Sequence, residues 1–315
     1  MFSRKKLIGF SLAFIPTVSW ASFYIVSRFA FGENEDLIDP VFFSFLRYFI
    51  AGIFMFALII HQKKFKAMAS AMKTDLWMFV FLGITGVVLE GTLLFWSLKY
   101  TTAARSSLFA NTSPIFTVLI AIFALNEKPD HRKILGMLIG FAGTFIAIVS
   151  RSKGDLYLTS SGILGDLLAM GSGICWAAYT VWGTGVSSRY GSFISASIVI
   201  IFGSIMLFAV VLLTGRPMLW NFPAKLWIAT IYLGLMTNAV AYLCWYAALK
   251  YLKAGELGAF GYISAILTVI LSFTLLHEKF TFSFFLALTG VIAGVYLMME
   301  KDSGKVRQIS ENALQ

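Results

Sequence analysis

Long apolar runs dominate this chain and are separated by short polar connections. A helix needs about 20 mostly apolar residues to cross the hydrocarbon core of a bilayer. Ten runs come close to that length, at residues 8–30, 41–60, 76–98, 103–125, 133–150, 162–187, 192–213, 226–248, 257–276 and 283–299. The strands of a membrane barrel would alternate apolar and polar residues, which these runs do not. The pattern therefore predicts an all-α integral membrane protein with ten transmembrane helices.

The composition agrees with a lipid environment and argues against several other classes of protein. Hydrophobic residues make up 59% of the chain and charged residues 13%, whereas a soluble domain carries about 25% charged residues. The two cysteines, Cys175 and Cys244, lack the CxxC spacing of metal and redox sites, and the three histidines are scattered. No basic face with interleaved aromatic residues suits a nucleic acid. We therefore expect no metal, no cofactor and no nucleic-acid partner.

The positive charge is a topology signal, because it lies between the apolar runs. If the N-terminus is cytoplasmic, most of the 25 Lys and Arg residues fall in the inner loops and tails. Cytoplasmic loops of membrane proteins carry such an excess. We therefore expect a multi-pass protein of a bacterial-type inner cell membrane with both termini in the cytoplasm.

The two halves of the chain resemble each other. Residues 9–21 (GFSLAFIPTVSWA) resemble residues 165–177 (GDLLAMGSGICWA). Further matches lie 151 residues apart, and they pair Leu98-Lys99-Tyr100 with Leu249-Lys250-Tyr251 and Glu127-Lys128 with Glu278-Lys279. Chance similarity between apolar runs is the alternative, and the matched Trp, Lys-Tyr and Glu-Lys positions disfavour it.

Each half holds five predicted helices, and five is an odd number. The second half must then enter the membrane inverted, as in many secondary transporters, whose substrates bind near the bilayer midplane between the repeats. We expect a first repeat at 1–150, an inverted second repeat at 151–300 and a cytoplasmic tail at 301–315.

Residues 113–148 (SPIFTVLIAIFALNEKPDHRKILGMLIGFAGTFIAI) resemble the repeat signature of the drug/metabolite transporter superfamily, in its EamA-like branch. The shared elements are a Pro in the fourth helix, a Glu that closes it and a Gly-containing fifth helix. Residues 264–298 resemble a second copy, with Ala265 where that copy often has Pro. Arg47 resembles an Arg often seen in the family's second helix.

This resemblance implies a ten-helix transporter of small metabolites such as amino acids, nucleotide sugars or drugs. It also implies that the first, third, fourth, sixth, eighth and ninth helices surround a central cavity. The second, fifth, seventh and tenth helices would be more peripheral.

Glu90 lies within an apolar run, GVVLEGTLLFW, and departs from the family pattern because its repeat partner is Ala241. It lies 14 residues after Leu76, which places it about 21 Å along a helix. A charge at that depth costs about 2.5–3.5 kcal/mol on insertion scales. Two interpretations remain open. In the first, Glu90 has a purely structural role and is either neutral or paired, for example with Arg47. In the second, it lines a water-filled cavity, where it binds a substrate amine or carries a coupling proton.

Other polar and aromatic side chains inside the runs are candidates for substrate binding. An amide at mid-membrane offers both a donor and an acceptor, and aromatic walls favour apolar, aromatic or cationic solutes. With Glu90, the candidates are Trp20, Asn111, Trp176, Tyr179, Asn238, Tyr242 and Tyr262. Ordinary packing is the alternative for each aromatic residue. For Arg47, a structural or interfacial anchor is favoured over a substrate ligand, which stays the alternative.

These features favour a secondary active transporter that exports amino acids or related metabolites by alternating access, with proton coupling as an option. Its partners would be a small-molecule solute and the lipid bilayer, and it would act as a monomer or homodimer. The alternatives within this fold are a nucleotide-sugar exchanger and a drug or amine exchanger. A channel is less favoured, and so is a membrane-embedded enzyme, because no catalytic His/Asp or Ser/His set lies at depth. No GxxxxGK[ST] motif for direct use of ATP is present.

Overall fold

The computed structural model describes residues 4–31, 39–100, 109–125, 130–149, 160–276 and 282–299, together with Ser106. These residues form helices and turns, and none of them forms a strand. Glu127, Glu278 and the tail at 301–315 lie outside the described residues, so the roles expected of them stay predictions.

The first half of the chain contributes six α-helices and one π-helix to the described residues. They are α1 (Arg4–Phe31), α2 (Pro40–His61), α3 (Phe65–Gly83), the π-helix π1 (Ile84–Leu89), α4 (Glu90–Tyr100), α5 (Ser113–Ala124) and α6 (His131–Val149).

The second half has a similar order of elements. It contains α7 (Ser160–Tyr190), α8 (Ser192–Leu213), α9 (Ala224–Tyr232), the π-helix π2 (Leu233–Val240), α10 (Ala241–Ala248), α11 (Ala254–Gly258), α12 (Phe260–Leu276) and α13 (Phe282–Met298).

Six helical stretches in the described part of the chain are long and apolar enough to cross a membrane. They are Arg4–Ser27, Val41–His61, Phe65–Ser97, Gly162–Tyr190, Ser192–Leu213 and Ala224–Ala248. Large apolar side chains are exposed on their outer faces, as lipid contact requires, and Ile53, Leu213 and Ile228 are examples. The predicted class, an all-α membrane protein, is thus confirmed, and the count of ten spans stays a prediction.

The third predicted segment differs from the structure at its start. Its helix begins at Phe65 rather than near Leu76, and it bends at Asp75, whose backbone is non-helical (φ −126°, ψ 34°). The Asp75 carboxylate accepts hydrogen bonds from the Arg189 side chain and, at 2.8 Å, from the Tyr190 hydroxyl. The residues before this bend form a polar extension that a search for apolar runs does not register.

Two continuous α-helices were expected where the structure has π-helices. π1 lies between α3 and α4, and π2 lies between α9 and α10. A π-helix closes its hydrogen bonds one residue further along than an α-helix, so it shifts the register of the residues that follow, and such segments are frequent at functional sites. Hydropathy is unchanged by this shift, which is why the apolar pattern did not reveal it.

Helices from the two halves pack mainly on one another. α2 and α3 pack on α8, α4 and α5 pack on α7, and α1 packs on α10 and α12. The closest approach joins α6 to α13, where a Cβ added to Gly294 would lie 2.4 Å from the backbone nitrogen of Gly140. Small residues allow such backbone contact between membrane helices. The interleaving leaves a central space between the halves.

Candidate functional site

A cavity of about 150 Å³ lies at the centre of the bundle. Its wall draws on α1, α2, α4, α7, π2, α10, α11 and α12, and on the residues around the start of α5. Among the described residues, this wall carries one acidic and one basic side chain, Glu90 and Arg47. The rest of the wall is aromatic, small or hydroxylated.

Glu90 is the first residue of α4, directly after π1. Its side chain is partly exposed and lies in the cavity wall. Its backbone carbonyl accepts a hydrogen bond of 3.0 Å from the Ser172 hydroxyl, which ties this turn to α7 of the other half. The carboxylate is therefore held at a junction between the halves and available to a solute.

Arg47 lies on α2 and is buried, with 5% of its surface exposed. Its guanidinium carbon lies 4.8 Å from the ring centre of Phe23, 5.3 Å from that of Phe95, 5.7 Å from that of Phe43 and 5.9 Å from that of Tyr48. Ring faces attract a cation at such distances.

The second helix was expected to be peripheral, and its contribution of Arg47 and Tyr48 to the cavity wall corrects that expectation. α2 can approach because π2 presents Gly234 to it, and a Cβ there would lie 2.8 Å from the Arg47 carbonyl oxygen.

Three tryptophans form one side of the cavity. The Trp20 ring lies 5.0 Å from Trp176 at an interplanar angle of 87°, and 5.0 Å from Trp245. The Trp20 indole donates a hydrogen bond of 3.0 Å to the backbone carbonyl of Thr237, and the Trp245 indole donates one of 3.1 Å to the Thr180 hydroxyl. Because the N–H groups of Trp20 and Trp245 already form hydrogen bonds, these two side chains can contact a solute through their ring faces but not as donors.

Asn238 and Asn111 add polar atoms to the wall. Asn238 is 3% exposed, and its side-chain nitrogen has no hydrogen-bond partner among the described residues. Its side-chain oxygen lies 3.2 Å from the Thr237 hydroxyl, which donates its hydrogen to the Leu233 carbonyl at 2.6 Å. A buried amide donor without a partner is costly, so the Asn238 nitrogen is a ready donor for a solute oxygen.

Six of the eight candidate residues meet in this wall, and two lie behind it. The six are Trp20, Glu90, Asn111, Trp176, Asn238 and Tyr242. Tyr179 is fully buried and stacks on Tyr246, with ring centres 5.1 Å apart. Tyr262 is also fully buried, and its hydroxyl donates to the Met137 carbonyl at 3.2 Å. The structure therefore gives these two tyrosines packing contacts.

Comparison with known proteins identifies the family. The model of the EamA-like transporter family matches the chain twice, at residues 7–149 and 163–300. The chain belongs to this family. The resemblance expected from the sequence is confirmed, and the protein is a membrane transporter.

Relatives of this EamA-like transporter come from bacteria, archaea and plants. An uncharacterized transporter of Archaeoglobus fulgidus is 30% identical, over 90% of this chain and 94% of its own. The uncharacterized transporter YetK of Bacillus subtilis is 27% identical, over 83% and 79%. A WAT1-related protein of Arabidopsis thaliana is 22% identical, over 93% and 85%. A solved crystal structure matches the fold with a TM-score of 0.76 at 19% identity, covering 94% of this chain and 96% of its own.

Sequence reasoning missed three parts of this EamA-like site. It did not predict π1 or π2, and it included neither Tyr48 nor Arg47 among the candidates, although both lie in the cavity wall. One signal was available for Arg47: it lies in an apolar run with aromatic residues Phe43 and Tyr48 beside it on the helix. The packing of Phe23 and Phe95 around it comes from other helices, which no local pattern contains.

Proposed function

We propose that this EamA-like transporter is a secondary active transporter that exports amino acids or related metabolites across the cell membrane. The observation that carries the proposal is the position of Glu90, the one carboxylate among the described residues of a cavity wall that is rich in aromatic rings and small residues. A carboxylate binds an ammonium group, and the ring faces of Trp20 and Trp176 suit an apolar or aromatic side chain. A cavity of about 150 Å³ can hold part of a small metabolite.

The transport cycle would be alternating access, in which one repeat rocks against the other around a fixed site. The two family matches, at 7–149 and 163–300, support a first repeat at 1–150 and an inverted second repeat at 151–300. The recurrence of a π-helix in the third helix of each half supports it too. Both termini are proposed to be cytoplasmic, on the charge bias of the loops.

Glu90 is proposed to carry the coupling proton as well as to face the solute amine. Burial in a low-dielectric wall favours the neutral form of a carboxyl, and water or a solute amine favours its charged form. A carboxyl that meets both conditions during the cycle can exchange a proton.

The test compares Glu90→Gln with the unchanged protein in liposomes, in two assays. One assay measures amino-acid uptake driven by a pH gradient, and the other measures exchange between labelled and unlabelled solute without a gradient. The proposed double role predicts that the variant loses both gradient-driven uptake and exchange. A role in proton transfer alone predicts loss of gradient-driven uptake with exchange retained. Unchanged thermal unfolding is the folding control. Gradient-driven uptake at the normal rate in the variant would remove Glu90 from the mechanism.

A drug or amine exchanger of the same fold is the second candidate, favoured by the combination of one carboxylate with aromatic faces. A nucleotide-sugar exchanger is less well supported, because Arg47 is the one basic side chain among the described residues of the wall. A thermal-shift screen of the purified protein against amino acids, amines, nucleosides and sugars separates these candidates, since a ligand stabilises the protein by mass action.

A further inference from the structure

Arg47 is a buried cation, and none of the residues that the structure describes is its hydrogen-bonding partner. Its Nε atom is buried and has no hydrogen-bond partner. Neither a hydrogen bond nor an ion pair joins its guanidinium to any residue that the structure describes. Glu90 lies in the same cavity wall, yet the two side chains form no ion pair.

The aromatic rings around Arg47 satisfy only part of what a guanidinium requires. Phe23, Phe43, Tyr48 and Phe95 attract its charge through their faces. Ring faces do not replace acceptors for the five N–H donors of the group. A cation within a membrane protein is expensive unless it is paired, and unpaired cases mark solute or ion pathways.

The Arg47 side chain forms part of the cavity wall, so a hydrogen-bond acceptor for its guanidinium can bind in the cavity. α2 and the four rings hold the charge, and Arg47 itself contributes to the cavity wall. A planar guanidinium binds a carboxylate through two parallel hydrogen bonds, a geometry that a lysine ammonium does not reproduce. The rings fix the orientation of the group before any ligand arrives, which lowers the entropy lost on binding.

We propose that Arg47 is an anion subsite of the cavity. The anion is either the carboxylate of the transported solute or a free inorganic anion such as chloride. In the first case the subsite deepens the proposed function and rests on it: the solute carries an anionic group for Arg47 and an amine for Glu90, so both charges of the wall are neutralised together. In the second case the anion neutralises Arg47 independently of the solute.

The test uses pairs of ligands that differ only in the carboxylate. Binding of phenylalanine and 2-phenylethylamine, and of leucine and 3-methylbutylamine, is measured by calorimetry on the detergent-purified protein in a chloride-free buffer. A charged hydrogen-bonded contact predicts that each amino acid binds about 10- to 100-fold more tightly than its amine. Arg47→Gln abolishes this preference, and Arg47→Lys keeps only part of it.

Arg216→Gln is the matched control. Like Arg47, Arg216 lies near an aromatic ring, and its guanidinium carbon is 5.7 Å from the ring centre of Trp96. Unlike Arg47, it pairs with Asp39 at 3.3 Å and lies outside the cavity wall. The Arg216→Gln variant should leave the preference intact. A separate chloride titration distinguishes the two sources of the anion. Thermal stabilisation by chloride in the unchanged protein, lost in Arg47→Gln, assigns the subsite to a free inorganic anion.

An amino-acid preference that survives Arg47→Gln, or the absence of both the preference and the chloride effect in the unchanged protein, overturns the subsite. If Arg47→Gln fails to fold, the same comparison is made with Arg47→Lys, in which an undiminished preference overturns the subsite. The absence of both effects in the unchanged protein overturns it without any variant. These measurements are also independent of Glu90→Gln, so failure of the proton-coupled export mechanism is a separate result.

Discussion

Tyr242 connects the two π-helices through its hydroxyl group. This hydroxyl donates a hydrogen bond of 2.5 Å to the carbonyl of Gly86 in π1, and Tyr242 itself lies two residues after the end of π2. The Tyr48 hydroxyl lies 2.6 Å from the Tyr242 hydroxyl. Because Tyr242 gives its hydrogen to Gly86, Tyr48 must donate to Tyr242. All of these atoms are buried, with Tyr242 2% and Tyr48 3% exposed.

Replacing Tyr242 with Phe keeps the ring and removes both hydrogen bonds. Each bond contributes about 0.5–1.5 kcal/mol, and the buried groups left unpaired, the Tyr48 hydroxyl and the Gly86 carbonyl, add to the loss. We expect Tyr242→Phe to lower the free energy of unfolding by about 2–3 kcal/mol. Tyr48→Phe should cost only about 1 kcal/mol, because Tyr242 keeps its bond to Gly86.

The double variant provides a second check on the direction of these bonds. With both hydroxyls removed, no unpaired Tyr48 hydroxyl remains. The loss should therefore be smaller than the sum of the single losses by about 1 kcal/mol, within the usual range for contacting residues.

The assay is reversible unfolding in mixed micelles, followed by tryptophan fluorescence as the denaturing detergent is increased. Tyr246→Phe is the matched control: Tyr246 is fully buried in the same helix, but its hydroxyl forms no hydrogen bond of normal geometry with any described residue. It should change the unfolding free energy by less than about 0.5 kcal/mol, like a neutral substitution. Equal losses in Tyr242→Phe and Tyr246→Phe would refute the link between the π-helices.

Two further predictions concern the wall and the layer behind it. Gly86→Ala places a Cβ 2.3 Å from the Tyr179 ring and should destabilise by about 1–3 kcal/mol through overpacking. Gly185→Ala, where a Cβ meets nothing within 4 Å, should be neutral or stabilising in the same unfolding assay, and equal effects would contradict the reasoning. Trp176→Ala should weaken solute binding about tenfold or more, as loss of an aromatic anchor does. Trp182→Ala, in the same helix but outside the wall, should leave calorimetric affinity unchanged, and unchanged affinity in both variants would assign Trp176 to packing.

The sequence was a good guide to which residues surround the cavity and a poor guide to their geometry. A polar or repeat-matched residue in an apolar run was a useful criterion, since it selected Trp20, Glu90, Asn111 and Asn238, which all lie in the wall. The same criterion selected Tyr179 and Tyr262, which pack behind it. Whether a tyrosine ring contacts the cavity or a neighbouring helix depends on how its own helix is rotated about its axis. The residues next to it in sequence do not fix that rotation.

Hydropathy and motif order in the chain are enough to predict that this protein lies in a membrane, is built from helices and belongs to the EamA-like transporters. Those properties depend on hydropathy over about 20 residues and on the order of motifs, both of which are local in the chain. The packed structure was needed to find that rings from three helices enclose Arg47, that Tyr242 links π1 to π2 and that α2 forms part of the cavity wall. These features require contacts between residues far apart in sequence, and they depend on how one helix face meets another, which hydropathy does not encode.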